Sequence, residues 1–364
     1  MPAQSRDYTR LTLTRSVYAF VLITLAAIFV LLAAILADRS GRMIDEALDR
    51  AVNVRTHAAA KILARSLERD WRSLGFLAEQ ATNLKQDTLR GVLDGMQGEG
   101  DRISWIGYTD INGRVIEATD GMLIGQDVSA RPWFRGGLNG GFAGDMHEAL
   151  LLAKLLGSET DEPLRFIDLS RPVLDVRGQV IGVVGMHINA NWLEGSLRET
   201  ARNLELDLFL LSADGSVVAT TTGETPRTSD LEILRVAQTG SEGAMRETWP
   251  DGQDYFSTLV PQISFKELPS FGWRMLGRIE TKSFASDAAL LRQGGLLSVL
   301  AILAILFGAT AIYVRIFAAP LAMLAGSAER IAGGSDEYPP SSTVTREAAQ
   351  ISSALARLQQ DRPI

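Results

Sequence analysis

Two stretches of this chain fix its relation to a membrane before anything else is read. Val17 to Ala37 and Gln293 to Val314 hold no charged residue. Each exceeds the ~20 apolar residues that a helix rising ~1.5 Å per residue needs to cross ~30 Å of hydrocarbon. The first is not built like a cleaved leader, since Asp38 and Arg39 follow it directly and a second apolar run exists. Arg6, Arg10 and Arg15 precede the first run and Arg315 follows the second, so the positive-inside rule predicts that both termini, 1–16 and 315–364, are cytoplasmic. The intervening region, 38–292, is then expected in the periplasm of an inner-membrane, multi-pass protein.

At 364 residues the chain has room for two folded domains, and having no cysteine it uses no disulfide framework. Its acidic excess, formally −7 at pH 7, falls between the two apolar runs. That leaves no basic surface for nucleic acid.

Asp38 to about Leu93 contains no proline and places apolar residues (Ile44, Leu48, Ile62, Leu63, Leu67, Leu74, Leu77) at helical spacing, which predicts one long helix. "ISWIGYTDINGRVIEAT" then reads as a hairpin turning on Asn112-Gly113. Ser129 is expected to cap a short helix through "RPWFRGGL", and "LRFIDLSRPVLD" and "QVIGVVGMHI" to form two further strands. The order recurs about a hundred residues later. "LDLFLLSADGSVVATT" turns on Asp214-Gly215, Ser229 opens "SDLEILRVAQTG", and "AMRETW", "DYFSTLVPQ" and "GWRMLGRIE" follow as strands. The fold class predicted is α/β (α+β): two tandem PAS-like antiparallel-sheet modules, about 95–200 and 201–285, on a long N-terminal helix.

A long helix after a first span, two such modules, "DINGRVIEATDG", the Asp127 to Arg131-Pro-Trp-Phe run and "VIGVVG" together resemble a double Cache sensor domain over residues 40 to 285. The resemblance implies a periplasmic receptor for a small extracellular ligand, with the first module holding that ligand. After the second span, Leu321, Leu324, Ala328 and Ile331, and then Ala348, Ile351, Leu355 and Leu358, repeat at 3-4-3 spacing around a Gly-Gly and Pro-Pro connector. Such seams are buried in a parallel helical coil, so a homodimer is expected. Residues 315–360 resemble a HAMP linker at Pro320 and Glu347, which implies signal relay. The chain stops at Ile364 with no kinase, cyclase or methyl-accepting coil, so a cytoplasmic output is expected on a partner or in a longer diguanylate cyclase or histidine kinase.

The candidate site centres on "RPWFRGGLNGGFAGDMHE" in a chain with three histidines. One reading takes Asp145, His147 and Glu148 with His187 as metal ligands or acid–base groups of a periplasmic hydrolase. The spacing is not that of HExxH, and neither a Gly-x-Ser-x-Gly elbow nor a phosphate-cradling glycine loop is present, so no catalytic residue and no cofactor are expected. The other reading is a ligand pocket for an organic acid, amino acid or other small anion. Arg131 offers a planar fork for a carboxylate. Trp133, Phe134, Trp105 and Tyr108 supply aromatic walls, and Gly185 leaves room beside His187. Asp145, His147 and Asp168 complete the set. Each has a plainer alternative: Trp133 and Phe134 as helix packing, Arg131 as an ion-pair partner of Asp127 or Asp145, His187 as a hydrogen-bonded core residue. His57, on the long helix, is read as solvated. Among double Cache domains, Arg131, Trp133 and Phe134 match the part that holds an amino acid's carboxylate. The aspartate expected for the amino group falls at His187, and Phe142 lacks the hydroxyl of the tyrosine between them. "GDMHEALLLAKLL" and "EPLRFIDLSRPV" are similar to sensor regions that precede diguanylate cyclase domains.

Overall fold

Alternating apolar strands broken by aspartate- and glycine-led turns fold into two sheets of identical order. The computed structural model describes residues 13–148 and 164–360. The "ALLLAKLL" run and Arg6 and Arg10 therefore lie outside the described residues. β1 (Ile103–Asp110), β2 (Val115–Ala118), β3 (Phe142–Glu148), β4 (Arg165–Leu174) and β5 (Val180–Asn189) pair antiparallel in the order β2-β1-β5-β4-β3. β6 (Asp207–Leu211), β7 (Val217–Thr220), β8 (Gly243–Thr248), β9 (Asp254–Val260) and β10 (Arg274–Glu280) repeat it as β7-β6-β10-β9-β8. Gly113 and Gly215, both at φ 85, close the two equivalent hairpins as the sequence predicts. These sheets, called the distal and proximal modules below, belong to one compact unit, 45–284. A second unit comprises 1–44 with 285–364.

The helices start differently from expectation. α3 (Pro132–Leu138) has Arg131 at its cap position with no side-chain capping bond. Pro132 presets the first turn, and the Ser129 N–H is held by Asp127 Oδ1 at 2.8 Å. α4 (Ala190–Leu204) joins the modules, with Asn189 accepting from the Asn191 N–H. α5 (Glu232–Thr239) is capped from another strand: the Glu247 carboxylate accepts from the N–H groups of Glu232 (2.9 Å) and Ile233 (3.2 Å), the charge a helix N-terminus favours. The helix predicted to run to about Leu93 is two, α1 (Leu13–Gln80) and α2 (Gln86–Gln97).

Within the 45–284 unit α1 buries Leu48, Val52, Ala59, Leu63, Leu67, Leu74 and Leu77, a stripe at three- and four-residue spacing. Two glycines let it lie against both sheets. A Cβ on Gly277 of β10 would sit 2.0 Å from Thr56 Oγ1 of α1, and a Cβ on Gly75 of α1 would sit 2.1 Å from Arg171 Nη1 of β4.

The proximal core is built around a cation. The Arg278 guanidinium, only 2 % exposed, lies 4.0 Å from the Tyr255 ring centroid, 4.2 Å from Trp249 and 5.3 Å from Phe209. Its Nε donates to Asp207 Oδ2 at 2.9 Å, and Nη1 is 3.1 Å from Glu224 Oε2. Three ring faces and two carboxylates account for a charge that an apolar core would otherwise exclude.

In the other unit, the helices Thr14–Ile35 and Gln293–Ala332 are long and apolar enough to cross a membrane, and Tyr18 meets Phe307 at 6.4 Å. α6 (Ala285–Tyr313) passes through one π-helical turn, Val314–Ala318, into α7 (Ala319–Ala332). The turn falls where Pro320 has no N–H to continue the ladder. α8 (Arg346–Gln360) packs on α7, where Leu324, Ile331 and Ala348 are buried, while Ile351 and Leu358 stay exposed.

Two outcomes are expected. Arg278→Lys keeps the charge but loses the planar fork and ring stacking, and should lower stability by on the order of 2 kcal/mol in thermal melts. Glu117, buried, is paired with Arg90 at 2.9 Å. Burial pushes its carboxyl up, but hydrogen bonds from Arg90, Gln86 and the Ala118 N–H more than offset this and leave it below the usual glutamate value. A depressed carboxyl stabilises the fold at higher pH and loses that contribution as pH falls through its folded-state value. The denaturation midpoint should therefore drop between pH 6 and pH 3 by less in Arg90→Gln than in the wild type.

Candidate functional site

Strand register brings the site together on one face of the distal sheet. His187 on β5 stands opposite Trp105 on β1 and opposite Asp168 on β4. His147 arrives from the edge strand β3 through a register irregularity between Gly144 and His147. Asp168, 1 % exposed, then accepts from both imidazoles: Oδ1 from His187 Nδ1 at 2.6 Å and Oδ2 from His147 Nε2 at 2.8 Å. The His187 ring stacks on Trp105 at 5.0 Å and meets Trp133 edge-on at 5.8 Å, with Phe166 at 6.0 Å.

α3 lays Trp133 and Phe134 onto this face, and the Trp133 carbonyl accepts from Ser170 Oγ at 2.6 Å. Gly185 was read as leaving room for a ligand. That room is taken by Trp133, whose ring atoms lie 2.6 Å from where a Gly185 Cβ would stand. Gly107, paired with Gly185 across β1 and β5, gives Trp105 the same clearance, its ring atoms 2.2 Å from a Gly107 Cβ. One polar atom of the group is unused: His147 Nδ1 is buried with no hydrogen-bond partner among the described residues.

Other sequence candidates stand elsewhere. Tyr108 pairs with Val184, on the opposite face of the sheet from Trp105 and His187; burial and the nearby Asp110 raise its phenol above the usual value. Arg131 is exposed and makes no ion pair with Asp127 or Asp145. Asp145 reaches the other module, accepting from Trp273 Nε1 and Ser212 Oγ, each at 2.6 Å. Glu148 is exposed at the end of β3, opposite Arg165. His57 is partly exposed, 3.6 Å from Glu242.

His147 and His187 meet at Asp168, their ring centroids 6.5 Å apart, but Glu148 does not join them, and among the described residues no group of three His, Asp or Glu side chains is arranged to hold a metal ion. Among those residues no hydroxyl hydrogen-bonds either site imidazole, and the arrangement is a His–Asp–His chain. What it can do is present imidazole edges and indole faces to a small molecule. Sequence reading missed Phe166, although the two-residue period through Asp168 and Ser170 marks it, and missed Ser212 and Trp273, for which no local signal exists.

No protein-family model matches the chain, and no curated protein does. Among solved structures, the ligand-binding domain of the Pseudomonas fluorescens chemoreceptor CtaA in complex with L-isoleucine is similar at 19% identity and TM-score 0.49, covering 68% of this chain and 98% of that one. The ligand-binding domain of the Pseudomonas aeruginosa amino acid chemoreceptor PctC in complex with GABA is similar at 14% identity and TM-score 0.46, covering 64% and 99%. An extracellular ligand binding receptor from Desulfohalobium retbaense is similar at 18% identity and TM-score 0.46; the match covers 62% of this chain and 40% of that one.

Asp145→Ala leaves the Trp273 N–H and the Ser212 hydroxyl without their acceptor and should destabilise by on the order of 2 kcal/mol. Calorimetry should also show the two modules melting less cooperatively, with calorimetric enthalpy exceeding the van't Hoff value. A single two-state transition of unchanged midpoint would contradict the tethering role.

Proposed function

We propose that this chain is a membrane-spanning receptor, with 38–292 a periplasmic double Cache domain that binds a small ligand in its distal module. The observation that carries the reading is the buried Asp168 carboxylate held between two imidazoles beneath two indoles. Burying such groups costs stability, and functional sites are where that cost is typically carried. Asp168 is already matched by two donors, so a ligand meets imidazole and indole edges rather than a bare carboxylate. The ligand class assigned is a small organic acid or amino acid, with His147 Nδ1 as one contact and the exposed Arg131 at the start of α3 recruited to its carboxylate.

The relay follows from β3. His147 and Asp145 are two residues apart on one short strand, one bound to the site and the other to the proximal module. A ligand that favours one arrangement of His147 therefore biases the contact at Trp273, and β10 leads through 281–284 into α6. Only a ligand with different affinity for the two arrangements moves this balance. In the same proposal residues 315–360 act as a HAMP coil in a homodimer, with both termini cytoplasmic and the output carried by a partner or a longer chain. The exposed Ile351 and Leu358 on α8 support the dimer, and the π-turn before Pro320 supports a bend at the relay.

Titration of the full chain in detergent with small mono- and dicarboxylates and amino acids tests it. At least one should bind, and His187→Ala and Arg131→Ala should each weaken it about tenfold or more, ~1.4 kcal/mol. Affinity unchanged in both variants would remove the distal site from consideration.

A further inference from the structure

Behind the distal sheet lies an arginine with no carboxylate among the described residues paired to it. β4 alternates, so Asp168 and Ser170 face α3 while Arg171 faces α1. The Arg171 guanidinium stacks on Trp71 of α1, 4.0 Å from the ring centroid, and only the missing side chain at Gly75 gives it space, since a Cβ there would be 2.1 Å from Nη1. It makes no hydrogen bond or ion pair with any described residue, and Glu79 and Glu267 act on it only at a distance. Burial lowers its affinity for a proton. The Trp71 Nε1–H beneath it is also buried without an acceptor. The indole N–H is thus a buried donor without an acceptor, an arrangement that costs free energy in a folded chain, and the half-buried guanidinium stacked on it keeps its donors unpaired by any described residue.

The guanidinium opens onto a cavity of about 440 Å³ at the C-terminal end of α1, lined also by Glu79, Thr82, Asn83 and Asp175. Glu79 makes no side-chain hydrogen bond or ion pair with a described residue, its backbone carbonyl alone accepting from Asn83. Asp175 Oδ1 is taken by the N–H groups of Arg177 and Gln179. With one cation against two carboxylates the cavity disfavours a simple anion, and with Arg171 in it, a simple cation. Separated opposite charges in one cavity match a molecule that carries both.

We propose that this cavity is a second ligand site, distinct from the His147–Asp168–His187 group, for a small zwitterion that sets its carboxylate on Arg171 and its ammonium on Glu79. Because Gly75 and Trp71 belong to α1, the occupant would bridge that helix to the distal sheet and resist any sliding of one on the other.

The test is titration calorimetry of the full chain in detergent with unbranched ω-amino acids, from glycine and β-alanine to ε-aminocaproate, with propionate and ethylamine as single-charge controls. One chain length should bind best and the controls at least about tenfold more weakly. Arg171→Gln and Gly75→Ala should each weaken the zwitterion about tenfold or more, the second by displacing the guanidinium. Should either variant fail to fold, Glu79→Gln, on the exposed surface, must still reduce binding severalfold. His187→Ala, which breaks the site on the other face, should leave this binding intact. Absence of millimolar binding, equal binding of propionate, or binding lost in His187→Ala but kept in Arg171→Gln would overturn the second site; the last result would leave the distal-face receptor reading standing.

Discussion

One face of one helix has to satisfy two sheets. α1 carries a single apolar stripe, and sheet surfaces twist, so a helix touching both needs relief where it comes closest. That relief is the absence of a side chain at two places, on the sheet at Gly277 and on the helix at Gly75. Neither glycine is in a turn or needs a positive φ, so the reason for each is proximity alone. With α1 seated, Trp71 is fixed under Arg171 and Thr56 against β10, and both modules take their positions from the same helix.

The two modules solve the same interior problem with different chemistry. In the distal one the third strand of the sheet order brings an imidazole, paired with a buried carboxylate and roofed by indoles. In the proximal one that strand brings Arg278, and the surrounding rings close on the guanidinium. The proximal interior is filled by a cation from its own sheet, the Arg278 side chain, whereas the distal interior leaves an imidazole nitrogen unused. This difference, more than the shared topology, separates a module built to hold itself from one with chemistry to spare.

Much of the architecture was legible because it rests on local rules. Alternation located β1, β4, β5 and the proximal strands, and Asn112-Gly113 and Asp214-Gly215 located the turns. β3 was not legible: Gly144 and a register shift disturb its alternation, and its pattern was read as chemistry alone. The site was half legible. Trp105, Trp133, Asp168 and His187 do meet, because they share a strand register or sit on the helix that covers it. Gly185 suggested an opening that Trp133 fills, since a glycine announces space without saying what occupies it. The partners of Asp145 could not be read at all, lying 67 and 128 residues away in sequence.

That last separation sets an order of events during synthesis. The distal strands leave the ribosome well before residue 273 exists, so β3 can pair with β4 early, but the anchor for Asp145 arrives only when the proximal module is nearly complete. Loop closure over such a distance is entropically costly and waits for structure on both sides. The strand that delivers His147 therefore reaches its final state among the last parts of the unit, and a nascent chain cut short before Trp273 would carry the residues of the candidate distal site, β3 included, without the indole that anchors Asp145.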